Sequence, residues 1–389
     1  MSALAEALPP VALRNQTDFP DSPLSRALRQ PLMLGLFLNL QDIHFSDLPT
    51  SSTWTFDYNA EVVKKADALG FELAFSRTQW LPKGGYDGEA SLDSFTALGA
   101  MAAITRNIML ISTIHVLYGP WHPLHLAKIG ATLDHISRGR WGINIVTGHR
   151  AIEHEMFGWQ RIEHDKRYDM ASELFDVLHR LWSDPENYSH DGQLNPWRLS
   201  NAYITPKPLY GRPILVNATG SDAGMAFAAR HSDLVFITSP GGAHIDSALE
   251  TLPAHIAGLK GRGRALGREL KTVINPIIVS RDTEREAEAY AAAILAGKPP
   301  VNGTSFGHRG YDSDAHAWRG RNDPRHKQGL NLGGNIEIIG TPEQVVDKLA
   351  GLKAAGIDGV QLNFYDFVDD FDHFATRILP LMKEAGLRL

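Results

Sequence analysis

The chain has 389 residues, of which 43% are apolar, and a formal net charge of −6. That length can bury one large core or two ordinary domains, and the acidic balance favours neither nucleic acid nor an anionic membrane surface as a partner. The sequence contains no cysteine, which excludes disulfides, thiolate nucleophiles, iron–sulfur clusters and cysteine-ligated zinc.

The chain opens MSALAEALPPVALRNQTDFPDSP, with neither the basic start nor the long apolar core of a secretory signal. Its Pro and polar content predicts an arm over residues 1–30, disordered or lying on a neighbouring subunit. No apolar run approaches the roughly 18 residues needed to span a bilayer, so a cytoplasmic protein without membrane contact is expected.

From residue 31 the pattern is rhythmic. LMLGLFLNL (32–40) reads as a buried strand. TFDYNAEVVKKADALG (55–70) reads as a helix, with Val62, Val63, Ala66 and Leu69 on one face and Gly70 at its end. FELAFS (71–76) is the next strand, SFTALGAMAAITR (94–106) a helix, and IMLISTI (108–114) a strand. PLHLAKIGATLDHIS (123–137) is helical and RWGINIVTG (140–148) extended. YDMASELFDVLHRLW (168–182) carries Met170, Leu174, Val177, Leu178 and Leu181 at helical spacing. Then come the strand PILVNA (213–218), a helix through SDAGMAFAARH (221–231), and the strands LVFIT (234–238) and TVINPIIVS (272–280). The helix TPEQVVDKLAGLKAAG (341–356) starts with an N-cap Thr and a Pro at its first position. GVQLNFYDF (359–367) is the eighth strand.

Eight strands separated by helices predict parallel pairing and an α/β fold, a (β/α)8 TIM-like barrel spanning 31–389 as one domain. A doubly wound open sheet is the alternative, but no GxGxxG follows the first strand. Residues 298–335 break the rhythm. They are rich in Gly, His, Arg and Asp and read as a long late insertion forming a mobile lid.

In such a barrel the residues just past the strand C-termini face the active site. These are Asn39 and Gln41; Arg77, Thr78 and Gln79; His115 and Tyr118; Asn144, Thr147, His149 and Glu153; Thr219 and Ser221; and Tyr365 and Asp366. His149, Glu153 and His154 could offer metal ligands, but their spacing matches no established motif, and no metal is expected. No GxSxG elbow supports a hydrolase. TGSDAG around Ser221 fits an anion-binding helix N-terminus as well as an ordinary N-cap. Arg167 and Tyr168 open a helix and offer a guanidinium fork and a phenol to a phosphate. Taken alone, Arg167 fits a surface ion pair with Asp165 or Asp169 better.

Longer motifs add a resemblance. GRWGINIVTG, E-x-E-x-F-G (153–158), HDKRYDMASELFDVLHRLW and NATGSDAGMAFAARHSDLVF resemble the bacterial luciferase-like family of flavin-dependent monooxygenases. Within it they are nearest the pyrimidine and dimethylsulfone monooxygenases, with the alkanesulfonate enzymes further off. The likeness runs from about residue 31 to 385. It implies a two-component enzyme using FMN as FMNH2, supplied by a separate NAD(P)H:flavin reductase that consumes NAD(P)H. O2 would react through a flavin (hydro)peroxide to oxidise a small organic substrate.

By matching position, the resemblance puts Thr78, Gln79, Asn144 and Glu153 on the flavin, with Arg167, Tyr168 and Ser221 on its phosphate or ribityl side. Thr113 and Asn144 could hydrogen-bond the reacting oxygen, and His115 could move a proton, although a structural strand-end histidine fits it equally. Tyr118 and Trp121 could wall a substrate pocket, as could Trp54 and Trp159. Arg309, Arg319 and Arg321 lie in the expected lid. His149 and Arg150 depart from both nearest groups, in which an aromatic residue stands at 149. They predict a more polar, more cationic pocket, suited to an anionic or strongly hydrogen-bonding substrate such as a sulfonate or sulfinate; across the whole resemblance, oxidation of a sulfone or sulfonate is favoured. Ring opening of a pyrimidine-like cyclic amide and an F420-dependent dehydrogenase on the same barrel are the alternatives. A homo-oligomer, dimer or tetramer, is expected from the family.

Overall fold

A computed structural model describes residues 14–38, 40–41, 46–77, 80, 82, 90–114, 121–298, 314 and 323–389. Eight strands close a parallel barrel: β1 (Met33–Leu38), β2 (Leu73–Ser76), β3 (Met109–Ile114), β4 (Trp141–Ile145), β7 (Ile214–Thr219), β8 (Leu234–Ile237), β9 (Lys271–Ile274) and β12 (Gly359–Leu362). Around the barrel the order is β1-β12-β9-β8-β7-β4-β3-β2. All eight strands expected from the apolar runs are present, and the fold is a TIM-like (β/α)8 barrel.

The strand period explains the two-sided core. Met33, Leu73, Phe75, Met109, Ile111, Ile214, Val216, Leu234, Phe236 and Val273 pack together inside the barrel. Alternate residues such as Trp141, Ile143 and Ile145 pack outward against helices. Phe75 stacks on Phe37 and Phe236 with ring centroids 5.5 and 5.3 Å apart, so the interior is filled rather than open.

The helices begin where the sequence supplies caps. Thr341 caps α10 (Pro342–Ala354) through a reciprocal capping box with Gln344. Ser221 caps α7 (Asp222–His231). The helix expected from 168 starts a turn earlier, as α6 (His164–Ser183), because the Glu163 carboxylate accepts the backbone N–H groups of Asp165 and Lys166.

Three expectations change. The run 272–280 is two strands: β9 stays in the barrel, while β10 (Pro276–Ser280) leaves it and pairs with β11 (Ile336–Gly340). Pro276 has no N–H to give a barrel neighbour, and Asn275 turns its carbonyl to the N–H groups of Asn335 and Ile336. The last barrel strand stops at Leu362, so 363–367 is not strand. The segment expected as an arm packs on its own barrel from Arg14 onward. Leu24 and Ala27 close the interior from the strand N-terminal side, and Gln16 donates to the Gly139 carbonyl at 2.6 Å. The antiparallel pair β5 (Tyr188–Asp191) and β6 (Arg198–Ala202) was not anticipated; its alternation is short and polar. Among the described residues, no helix is long and apolar enough to cross a membrane.

Candidate active site

The barrel register brings polar side chains together at the strand C-terminal ends. Thr113 on β3 and Asn144 on β4 are register partners. Asn144 Nδ2 donates to Thr113 Oγ1 at 3.1 Å, and Thr113 Oγ1 donates to the Ser76 carbonyl at 2.5 Å. Asn144 is buried, and its Oδ1 has no hydrogen-bond partner among the described residues. One step around the barrel, Asn217 Nδ2 donates to the Ile145 carbonyl at 2.7 Å, and Asn217 Oδ1 is likewise unpartnered. A buried, unsatisfied amide oxygen costs about 1–3 kcal/mol, so these atoms are set for a donor that the described chain does not supply.

Beside them, α5 (Ala151–Glu155) follows the β4 turn. Glu153 is 0% exposed and accepts from the Trp80 backbone N–H at 3.1 Å and, at a long 3.4 Å, from Arg150 Nη1. Arg150 is itself buried, so much of its charge is met by Glu153. His154 is also buried; its Nε2 lies 3.4 Å from the Gly148 carbonyl, and desolvation holds its pKa below the ordinary value.

A hydroxyl-lined cradle forms at the N-terminus of α7. Ser221 Oγ accepts from the Gly224 N–H at 3.1 Å. The Tyr168 hydroxyl lies against the side chains of Ser221, Thr147 and Thr219, and burial raises its pKa, so the phenol keeps its proton at neutral pH. Thr219 Oγ1 is buried and makes no hydrogen bond of good geometry among the described residues. A Cβ added at Gly224 would overlap Thr219 Oγ1 and stand 2.8 Å from the Tyr168 oxygen; only glycine lets these two hydroxyls close against the first turn of α7. Four hydroxyls at a helix N-terminus suit an anion such as a phosphate.

Arg167 differs from both sequence readings of it. It is 1% exposed and pairs with neither Asp165 nor Asp169. Its guanidinium forks onto Asp314, with Nη1–Oδ2 at 3.0 Å and Nη2–Oδ1 at 2.8 Å. Asp314 also lies 3.5 Å from Arg161 Nε, and its backbone N–H donates to the His149 carbonyl at 3.0 Å. A carboxylate therefore sits in the fork that the sequence reading gave to a phosphate.

The luciferase-like monooxygenase family model matches residues 38–359. The chain belongs to this family. It is 31% identical over 350 residues to an FMNH2-dependent dimethylsulfone monooxygenase of Pseudomonas fluorescens (strain Pf0-1), covering 87% of this chain and 90% of that one. It is 30% identical over 338 residues to the pyrimidine monooxygenase RutA of Pantoea ananatis (strain LMG 20103), covering 85% and 90%. The fold is shared with the crystal structure of a riboflavin lyase, RcaE, at a TM-score of 0.77 and 22% identity, with 92% of each chain covered.

Within this luciferase-like barrel, the expected residues fall into three groups. Asn144 and Thr113 meet, as do Tyr168 and Ser221, while Glu153, Arg150 and the His149 backbone gather on the α5 side. Asn39, Thr78, Gln79, His115, Tyr118, Arg309, Arg319 and Arg321 lie outside the described residues. A third group serves structure. Trp121 packs on Phe95 at a centroid distance of 4.9 Å. Asp366 accepts from the backbone N–H and hydroxyl of Ser51, each at 2.7 Å, and the Tyr365 hydroxyl donates to the Ser46 carbonyl at 3.2 Å. Both anchor the segment before the helix Phe56–Ala68, and β12 ends three residues before Tyr365. Sequence reasoning missed Asp314 and Asn217. Asn217 was visible as the lone amide in an apolar strand; Asp314 had no local signal.

Proposed function

We propose that this protein is an oxygenase that takes reduced FMN and O2 and oxidises a small organic molecule, a sulfone or sulfonate by preference. The observation that carries the reading is the α7 cradle of Thr147, Tyr168, Thr219 and Ser221 together with the buried, unpartnered Asn144 Oδ1 at the strand ends. This donor and acceptor set fits a phosphate at one end and the hydrogen-bonding edge of a flavin at the other. When bound, the reduced flavin supplies the electrons that activate O2. The chain's own residues bind and orient. The cradle hydroxyls hold the phosphate, Asn144 and Thr113 present a fixed amide and hydroxyl to the reacting face, and Glu153 sits desolvated next to Arg150.

Reduced FMN would come from a separate NAD(P)H:flavin reductase, as the FMNH2-dependent name of the dimethylsulfone relative suggests. Most of the expected lid, 299–313 and 315–322, lies outside the described residues; within it Asp314 is anchored on Arg167 and the His149 backbone. His149 and Arg150 give the substrate side its polarity, which favours a sulfonyl oxygen. A cyclic amide is the second reading, favoured by the similarity to the pyrimidine relative.

The test is anaerobic titration with FMNH2 and, separately, reduced F420, followed by oxygen and mass spectrometry of candidate sulfones, sulfonates and pyrimidines. Saturable FMNH2 binding with an oxygenated sulfur product is expected. Binding of F420 alone would overturn the cofactor assignment, and a ring-opened pyrimidine would overturn the substrate preference.

A further inference from the structure

A second cluster lies at the other end of α7 from the cradle. Asp176 and His179 are three residues apart on α6, so they share a helix face. His231 is the last residue of α7, next to the strand N-termini. One ligand atom from each of the three lies within 4.8 Å of the others. His179 is 5% and His231 2% exposed. Both ring nitrogens of His179, and Nε2 of His231, have no hydrogen-bond partner among the described residues.

Three orphaned imidazole nitrogens on two neighbouring rings in a core are unusual, because each forfeits the bonds it had in water, and one nitrogen of each ring can face a shared point. We infer that Asp176, His179 and His231 form a structural site for a nitrogen-preferring divalent transition metal of the zinc class, joining α6 to α7.

The ring geometry fits. The two imidazole centroids are 5.7 Å apart, and two rings bound to one tetrahedral ion with Zn–N near 2.0–2.1 Å stand on the order of 5 Å apart. Asp176 Oδ2 accepts from Arg230 at 2.6 Å, which leaves Oδ1 for the metal. The Asp176 side chain is about half exposed (45%), so it can swing inward to close the ligand set.

The surrounding charges select among ions. Arg212 is forked on Asp233, Arg268 lies 3.7 Å from the same carboxylate, and Arg230 holds Asp176. Three guanidiniums against two carboxylates disfavour a hard cation held by charge alone. Imidazole ligands retain zinc, nickel or copper through nitrogen donation instead. The negative ends of the α6 and α7 dipoles point the same way. The rings are also ready to bind: burial pushes the His231 pKa down to about 3 and His179 well below its ordinary value, so both are neutral at physiological pH.

The experiment uses untagged full-length protein stripped with chelator and titrated with Zn²⁺ by calorimetry, then with Co²⁺ by absorbance. One Zn²⁺ per chain, a higher melting temperature and tetrahedral Co²⁺ bands are expected. His179→Asn and His231→Asn should each weaken binding by at least about tenfold, since even outer-shell changes cost 10–100-fold. Asp176→Asn changes only a half-exposed carboxylate and should also weaken binding with the fold intact. FMN affinity should not move in any of them. The inference is overturned by the absence of saturable binding, by binding that survives both His179→Asn and Asp176→Asn, or by an ordered water in place of metal in crystals grown with Zn²⁺.

Discussion

Arg167, in the first turn of α6, and Asp314, 147 residues later, form a two-pronged ion pair at 3.0 and 2.8 Å, with Arg167 fully buried. The pair fixes one point of the late segment beside the cradle. The two partners are unequally solvated: the Asp314 side chain is 25% exposed and has Arg161 nearby, whereas that of Arg167 is 1% exposed.

This asymmetry sets the first expected outcome. Asp314→Ala removes the carboxylate from a buried guanidinium and should cost about 3 kcal/mol in denaturant unfolding, whereas Arg167→Met leaves a carboxylate that water and Arg161 can still serve and should cost about 1–2 kcal/mol. Equal losses would mean that the fork is not the energetic unit.

Gly224→Ala tests the cradle. The added methyl collides with Thr219 Oγ1 and approaches Tyr168, displacing two of the cradle hydroxyls while improving helix propensity. FMN affinity, read by fluorescence quenching, should fall at least about tenfold, a loss of about 1.4 kcal/mol. Unchanged affinity would place the phosphate elsewhere.

Asn144→Leu removes the orphaned amide while keeping its branched shape. The buried polar cost disappears with it, so thermal stability should hold or rise by about 1 kcal/mol, while the oxygenation rate should fall by at least about tenfold. A variant that loses stability and keeps its rate would make Asn144 structural.

Asp134 gives a pH test. Its carboxyl is buried and its pKa is pushed up to about 6, desolvation outweighing the bond from the Leu209 N–H. For an acid raised in the folded state, the unfolded chain releases its proton first, so stability falls as pH rises from about 4 to about 6 and stays lower above. Asp134→Asn should flatten that slope and gain about 1–2 kcal/mol at pH 7, as read from unfolding curves at pH 4, 5, 6 and 7. A parallel shift with no change of slope would show that Asp134 does not titrate there.

Sequence alone determined the barrel. Local periodicity is enough to mark Met109–Ile114 or Trp141–Ile145 as strands, and eight such runs with helices between them admit few other folds. It also determined which strand ends carry polar groups, because Asn144, Thr147, Ser221 and Tyr168 stand out against apolar surroundings, and it carried the family resemblance. Only the tertiary structure decided the partners. Whether Arg167 meets Asp165, Asp169 or Asp314 depends on where the fold brings Asp314, a long-range contact with no local period. Whether 272–280 is one strand or two depends on β11 offering its edge to β10. His179 and His231 come together only where α6 and α7 pack side by side, because burial, and the loss of hydrogen-bond partners that follows from it, is a property of packing and not of spacing.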